Sequence, residues 1–149
     1  MEESSFFNIG TDIDIWSDPM TVDEMIRSDA SLKNGLYYIS RVLHGRETSL
    51  YIGKATNTIR ERLRDHKRKW LYKRYGIKYV RVGEIVYPYE VDDNIIDHAE
   101  SALIYEHRDV LKDNTAKTKS YSYWELYQIH NIGNPGALKP VFRMHDQPD

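Results

Sequence analysis

Residues 35–66 read Gly35-Leu-Tyr-Tyr-Ile-Ser-Arg-Val-Leu43, His44-Gly-Arg-Glu-Thr48, Ser49-Leu-Tyr-Ile-Gly-Lys-Ala55 and, after Thr56, Asn57-Thr-Ile-Arg-Glu-Arg-Leu-Arg-Asp-His66. Two short runs rich in β-formers lie on either side of a polar break that contains a glycine, which is typical of a hairpin. The run after Asn57 has helical spacing. The stretch therefore predicts a strand, a turn, a strand and a helix.

Four side chains of this unit are expected to meet at one end of a small sheet. Tyr37 and Tyr51 lie on adjacent antiparallel strands of the predicted hairpin. Arg62 and His66 are four residues apart and so share one face of the predicted helix. Two phenols, a guanidinium and an imidazole would then face one another.

The triplets Gly35-Leu36-Tyr37 and Tyr51-Ile52-Gly53, followed by Lys54, Arg62 and His66, resemble the GIY-YIG nuclease family over roughly residues 35–140. Leu36 stands where the family name has Ile. The resemblance implies an α/β (α+β) fold, with a small central three-stranded antiparallel sheet flanked by helices and preceded by an N-terminal arm. It also implies that Tyr37 or Tyr51 activates water, with Tyr37 favoured as the base, and that His66 either forms a hydrogen bond with that tyrosine or relays the proton.

The segments after this unit predict a third strand, over 77–87, and a second helix from Asp92 to about Lys112. Glu100 interrupts an apolar stripe of that helix, so its carboxylate must be paired, protonated or bound to a cation. From the pattern alone, a pairing with Arg or Lys stays open. The resemblance implies that Glu100 is the single ligand of Mg²⁺ or Mn²⁺, with Glu106 as a weaker candidate.

Asn114 lies in a polar segment that is predicted to be a loop. The resemblance implies that Asn114 is the loop asparagine of the family's site. Taken alone, an asparagine beside Asp113 in a turn more often makes a local hydrogen bond.

Charge is distributed unevenly, although the formal net charge is only −2. Basic residues dominate between Lys54 and Arg81, whereas acidic residues dominate the first 30 positions. This asymmetry indicates a nucleic-acid face. A basic helix face that is merely solvated is the alternative. The predicted phosphate contacts are Arg60, Arg64, Lys67, Lys69, Lys73, Lys117 and Lys119.

Length and composition limit the organisation of the chain. Its 149 residues suit one nuclease-sized domain, which predicts an arm over 1–34, a domain over 35–140 and a tail over 141–149. The absence of cysteine, of a signal peptide and of a long apolar run predicts a cytoplasmic protein with no membrane partner. No dinucleotide or phosphate-loop motif indicates an organic cofactor.

The predicted function is therefore that of a divalent-metal-dependent endonuclease that hydrolyses phosphodiester bonds in DNA, of a restriction, mobile-element, phage or repair type. A nucleic-acid-binding module of the same fold that does not cut is the alternative. A protein-binding factor is a third, supported by the acidic N-terminal segment alone. Cutting both strands with one site needs two events or two protomers, so a homodimer stays open.

Overall fold

A seven-stranded curled sheet forms the framework of the protein. The computed structural model describes residues 10–118 and 127–144. The strands run in the order β4-β3-β5-β1-β6-β7, with β2 paired to β5 beside this path. The β1–β6 pairing is parallel, and the other pairings of the described strands are antiparallel. The strands are β1 (Gly10–Trp16), β2 (Met20–Thr21), β3 (Gly35–Leu43), β4 (Arg46–Ala55), β5 (Ile77–Tyr87), β6 (Tyr127–Gly133) and β7 (Val141–Met144).

The predicted small three-stranded sheet flanked by helices is wrong. The three predicted strands exist as β3, β4 and β5, but they are part of a larger sheet, because β1 inserts between β5 and β6. In β1, polar side chains lie on the buried face and an apolar side chain is exposed, which is the reverse of the usual alternation. The sequence therefore did not predict that β1 belongs to the sheet. Asp12 and Asp14 lie on its buried face, whereas Ile15 on the other face is 41% exposed. Polar residues at core positions do not give the usual signal of a central strand.

Within residues 10–118 and 127–144, three α-helices accompany the sheet: α1 (Val22–Arg27), α2 (Ile59–Lys69) and α3 (Asp93–Glu106), with short 3₁₀ helices at Asp29–Leu32 and Leu71–Lys73. The sequence predicts that α2 continues to about Tyr75 and α3 to about Lys112, and both helices end earlier. Helix α2 ends at Trp70, whose backbone (φ −149°, ψ −27°) leaves the helical region. In the described residues, no helix is long and apolar enough to cross a membrane.

The two longer helices pack on opposite faces of the sheet. Helix α2 packs its Leu63 with Tyr37 and Ile39 of β3, whereas α3 packs its Leu103 on the face that carries Tyr38. Strand β4 is the terminal strand of the sheet order, so the two faces meet at its edge. Side chains from both helices can therefore approach one site beside β4.

Candidate active site

A hydrogen-bonded chain of three side chains forms the centre of the site. The indole N–H of Trp70 donates to Nδ1 of His66 at 2.9 Å, and Nε2 of His66 lies 2.7 Å from the Tyr37 hydroxyl. An indole nitrogen is only a donor, so Nδ1 is an acceptor and Nε2 carries the proton that points at Tyr37. Burial, helped by the Arg62 charge, lowers the pKa of His66 to about 4. The imidazole is therefore neutral.

The two tyrosines stack against each other beside this imidazole. Their ring centroids are 6.1 Å apart, and that of Tyr51 is 4.7 Å from the His66 ring. Burial raises the pKa of Tyr37 well above its usual value, and the neighbouring Tyr51 raises it further. Burial also raises the pKa of Tyr51, but Arg62 and a hydrogen bond from Tyr37 favour its phenolate. Tyr51 is also the less buried of the two, so it is the better placed to exchange protons with a substrate.

Gly53 allows the two phenols to converge. It pairs with Tyr37 across the β3–β4 ladder. A Cβ atom at this position would lie 2.4 Å from the Tyr37 hydroxyl and 2.7 Å from a ring carbon of Tyr51. No side chain fits there unless the phenols move. The glycine of the second triplet therefore has a steric explanation.

Arg62 lies beside both phenols, and one of its hydrogen-bond donors has no partner in the described residues. Burial alone would lower the pKa of its guanidinium, but Tyr37 and Tyr51 outweigh that effect and raise it. Its Nε atom is buried and has no hydrogen-bond partner within the described part of the chain. Since a buried N–H without a partner is costly, this group is suited to donate a hydrogen bond to an anionic ligand.

Glu100 is buried and paired with a lysine, one of the outcomes that its apolar stripe left open. Lys117 Nζ lies 2.6 Å from Glu100 Oε1 and 2.6 Å from Asp97 Oδ1. Lys54 Nζ lies 2.9 Å from the same Asp97 oxygen. Burial lowers the pKa of Lys117, but the two carboxylates raise it above its usual value. The structure thus brings together Lys54, Glu100 and Lys117, and adds Asp97.

The carboxylate oxygens at this point are of the type that binds divalent cations. Oxygens of Asp97 and Glu100 converge on one ammonium group, and carboxylate oxygens are the ligands that Mg²⁺ prefers. Among residues 10–118 and 127–144, no group of three or more His, Asp or Glu side chains is arranged to hold a metal. Bound Mg²⁺ would keep most of its coordination for water and substrate oxygens.

Asn114 has a long-range partner in place of the local one that its turn suggested. Its amide accepts from the backbone N–H of Ile52 and donates to the carbonyl of Ile52, both at 2.9 Å. It therefore pairs with the free edge of β4 as another strand residue would. This contact fastens the loop that carries Lys117 to the strand that carries Tyr51.

The predicted phosphate contacts divide into paired and unpaired groups. Arg60 donates to Ser31 Oγ and to the Ser28 carbonyl, each at 3.0 Å, so it fastens the N-terminal segment to α2. In the described ranges, Arg64 and Lys73 have no acidic partner, whereas Lys67 pairs with Asp23 of α1 and Lys69 with Asp65. Lys119 lies outside the described residues.

Comparison with known proteins adds nothing to this description, since no family model, no curated protein and no solved structure matches the chain. The resemblance to the GIY-YIG family therefore stays a prediction that rests on the residues themselves. Sequence reasoning missed Trp70 and Asp97. Their spacing gave a signal, because Trp70 is four residues after His66 and Asp97 three before Glu100, the distances at which helical side chains meet.

Proposed function

We propose that the protein is a divalent-metal-dependent endonuclease that hydrolyses phosphodiester bonds in DNA. One observation carries the proposal: Tyr37, Tyr51, Arg62 and a neutral His66 converge at the edge of β4, and Glu100 lies close enough to influence the pKa of both phenols. Hydrolysis of a phosphodiester needs a base for water, positive charge on the phosphate and stabilisation of the leaving oxygen. The site offers a group for each.

Tyr51 is the base in this proposal, in place of Tyr37. The donors of the hydrogen-bonded chain point the same way, from Trp70 to His66, from His66 to Tyr37, and from Tyr37 to Tyr51. A negative charge on the Tyr51 oxygen is therefore met by a donor. The phenolate takes a proton from water, the water oxygen bonds to phosphorus, and the bond from phosphorus to the 3′ oxygen breaks. The 3′ oxygen leaves as an alkoxide and takes a proton from solvent.

Arg62 supports the phosphate in the same step. Its guanidinium can donate two parallel hydrogen bonds to phosphate oxygens, and its buried Nε has no partner in the described residues. A metal held by Glu100, with Asp97 beside it, would supply a Lewis acid for the charge that develops on the leaving oxygen. Lys54 and Lys117 surround the same carboxylates and neutralise them.

A binding module that does not cut is the second candidate, and one contact favours it. The ammonium group of Lys117 bridges Asp97 and Glu100, so a cation of the chain already satisfies both carboxylates. If that ion pair persisted with DNA bound, no metal would enter. The site would then bind a phosphate through Arg62 without cleaving it.

Cleavage of supercoiled plasmid separates the two candidates. Wild-type protein is tested with Mg²⁺, with Mn²⁺ and with EDTA beside Glu100→Gln, and Glu106→Gln is the matched control, because Glu106 lies on the same helix and also pairs with a lysine, Lys139. We expect metal-dependent nicking that Glu100→Gln abolishes and Glu106→Gln retains. DNA binding without cutting under every condition would establish the module; cutting by Glu100→Gln would refute the site.

A further inference from the structure

An exposed aromatic and basic surface follows directly after α2. Tyr72 is 67% exposed and Tyr75 is 79% exposed, although tyrosine rings are usually at least half covered. The sequence around them, Tyr72-Lys-Arg-Tyr-Gly-Ile-Lys78, contains two aromatic and three basic side chains, and Ile77 is 54% exposed. We name Tyr72, Tyr75 and the neighbouring Lys67, Lys73 and Lys78 the tyrosine surface.

The backbone holds this surface in place. Leu71 is buried, and the N–H groups of Lys73 and Arg74 bond to the carbonyls of Trp70 and Leu71 at 3.0 Å each. Gly76 has φ +96°, and a Cβ there would lie 2.5 Å from the Val42 carbonyl oxygen. The turn that presents Tyr75 is therefore tightly determined. Rings held outside the core on such a segment lose little conformational freedom when a ligand covers them.

The positive charges around Tyr72 attract a carboxylate of the protein itself. Tyr72, Lys67, Lys78 and Ile77 line an open groove of about 510 Å³. Asp23 of α1 also lines it, and its pKa is lowered first by the hydrogen bond from Lys67 and then by further cations that include Lys78. A carboxylate thus occupies a position that suits a phosphate. Lys73 lies 5.8 Å from the centroid of the Tyr72 ring, on the same exposed segment.

Trp70 links the segment that carries this surface to the candidate active site. Trp70 donates to His66, and its ring lies 5.7 Å from that of Tyr51. Tyr72 follows Trp70 by two residues. Within α2, the seven residues from Arg62 to Lys69 rise roughly 10 Å at about 1.5 Å per residue, or about three nucleotides of a strand in B-form spacing, and Tyr72 lies just beyond the end of the helix. One DNA strand could therefore reach from Arg62 to the tyrosine surface.

We propose that Tyr72 and Tyr75 stack on the bases of a single-stranded DNA segment that flanks the cut, while Lys67, Lys73 and Lys78 contact its phosphates. The inference rests on the proposed function for its substrate, not for the cleavage step. Bases in an intact duplex already stack on one another, so exposed phenols select unpaired nucleotides. Interspersed lysines favour a phosphate backbone over an apolar protein partner.

The test is the binding of fluorescein-labelled oligo(dT) in EDTA, measured by fluorescence anisotropy beside an abasic strand of equal length and a duplex. Removing aromatic stacking costs about 1–3 kcal/mol per base, so Tyr72→Ala/Tyr75→Ala should bind oligo(dT) at least about tenfold more weakly. Its affinity for the abasic strand and for the duplex should stay within about twofold to threefold, because the phosphate contacts remain. Tyr72→Phe/Tyr75→Phe should bind as wild type, since the rings are kept.

Tyr89→Ala is the matched control, because Tyr89 is 89% exposed but lies beside Glu90 and close to Asp92. We expect it to bind oligo(dT) like the wild-type protein. The proposal is overturned if the double alanine variant keeps its affinity, if it weakens equally on the abasic strand, or if wild-type protein binds no oligo(dT). Metal-dependent plasmid cutting with tyrosine-independent binding refutes this inference alone. Stacking without cutting refutes the proposed function alone.

Discussion

Trp70 and His66 are joined by a hydrogen bond of 2.9 Å from the indole N–H to Nδ1, which selects one tautomer of the imidazole. His107 has the opposite arrangement. The backbone N–H of Lys139 donates to its Nε2 at 2.9 Å, and its Nδ1–H donates to the Leu103 carbonyl at 2.8 Å. These two histidines are thus held in opposite tautomers, and both are fixed by donors that cannot reverse.

These two tautomers are directly measurable. In ¹⁵N-labelled protein, the ring nitrogen shifts should show His66 protonated at Nε2 and His107 protonated at Nδ1. Trp70→Phe removes the indole donor while keeping an aromatic ring, so it should leave His66 a mixture of tautomers and His107 unchanged. Under the proposed function it should also slow cleavage, by about tenfold, with DNA affinity kept. A wild-type His66 protonated at Nδ1 would contradict the proton chain.

Tyr51→Phe and Tyr37→Phe should differ in their effect on cleavage. If Tyr51 is the base, Tyr51→Phe should lower the single-turnover rate by about 10²–10⁴-fold, the usual contribution of general base catalysis. Tyr37→Phe removes a hydroxyl of the hydrogen-bonded chain but keeps the proposed base, so it should lower the single-turnover rate by a smaller factor. Neither should weaken DNA binding much, because Arg62 is retained. Fluorotyrosine at position 51, with its lower pKa, should shift the rising limb of the pH–rate profile to lower pH. If Tyr37→Phe proves the more damaging, Tyr37 is the base.

Lys117→Met should make the stability of the folded protein depend on a bound metal. Without the ammonium group, the buried Glu100 carboxylate lacks its salt-bridge partner, so the free energy of unfolding should fall by about 1–2 kcal/mol in EDTA. Mg²⁺ should then raise the melting temperature of the variant more than that of wild type, because binding stabilises the folded state. Lys139→Met is the control, since it removes the equivalent ammonium from Glu106 on the same helix. An equal response to Mg²⁺ in both variants would argue against a cation site at Glu100.

The hairpin and the helix after it could be predicted because their signals are local. Strand β3 begins at Gly35, β5 spans Ile77–Tyr87 as predicted, and the spacing of Arg62 and His66 places both beside Tyr37. The rest of the sheet could not be predicted, because the parallel pairing of β1 with β6 joins segments more than 100 residues apart. Asp12 and Asp14 on the buried face of β1 also removed the apolar pattern of a central strand.

The candidate site, like the sheet, could be predicted only where its signals are local in the sequence. Residue types and helical spacing identified Glu100 as a carboxylate that needs a partner, but not which partner, since Lys117 reaches it from a loop with no periodicity. Asn114 was predicted as a site residue, whereas its two contacts are with the backbone of Ile52 on the edge of β4. Edge pairing depends on the position of a loop in space, which spacing along a chain does not encode.

Gly53→Ala should damage the site more than the fold. The added methyl group would meet the Tyr37 hydroxyl at 2.4 Å, so at least one phenol must move. We expect a loss of about 1–3 kcal/mol in the free energy of unfolding, as in other overpacked cores. Under the proposed function, cleavage should fall by about 10²-fold, the effect of a displacement of about 1 Å in a catalytic group. Gly45→Ala is the control, because nothing lies within 4 Å of its Cβ position and its cost comes from φ +74° alone. Wild-type cleavage by Gly53→Ala would show that the phenols need not be held together.

Asp12→Asn should stabilise the protein relative to wild type, and this stabilisation should be larger at neutral pH than at acidic pH. Burial raises the pKa of Asp12 to about 6, although a hydrogen bond with Tyr127 lowers it. A carboxyl whose pKa is raised by folding contributes its full stability below its unfolded pKa, and that contribution is lost as the pH rises through about 6. One pKa unit corresponds to about 1.4 kcal/mol, so the loss is roughly 3 kcal/mol at most. The neutral amide of Asp12→Asn does not ionise, so its advantage in urea unfolding should grow between about pH 4 and pH 7.

Asp65→Asn should show the opposite trend, because Lys69 lowers the pKa of Asp65. A pH-independent difference between Asp12→Asn and wild type would mean that Asp12 is ionised throughout, and that the core of β1 holds a charge with a partner strong enough to keep it there.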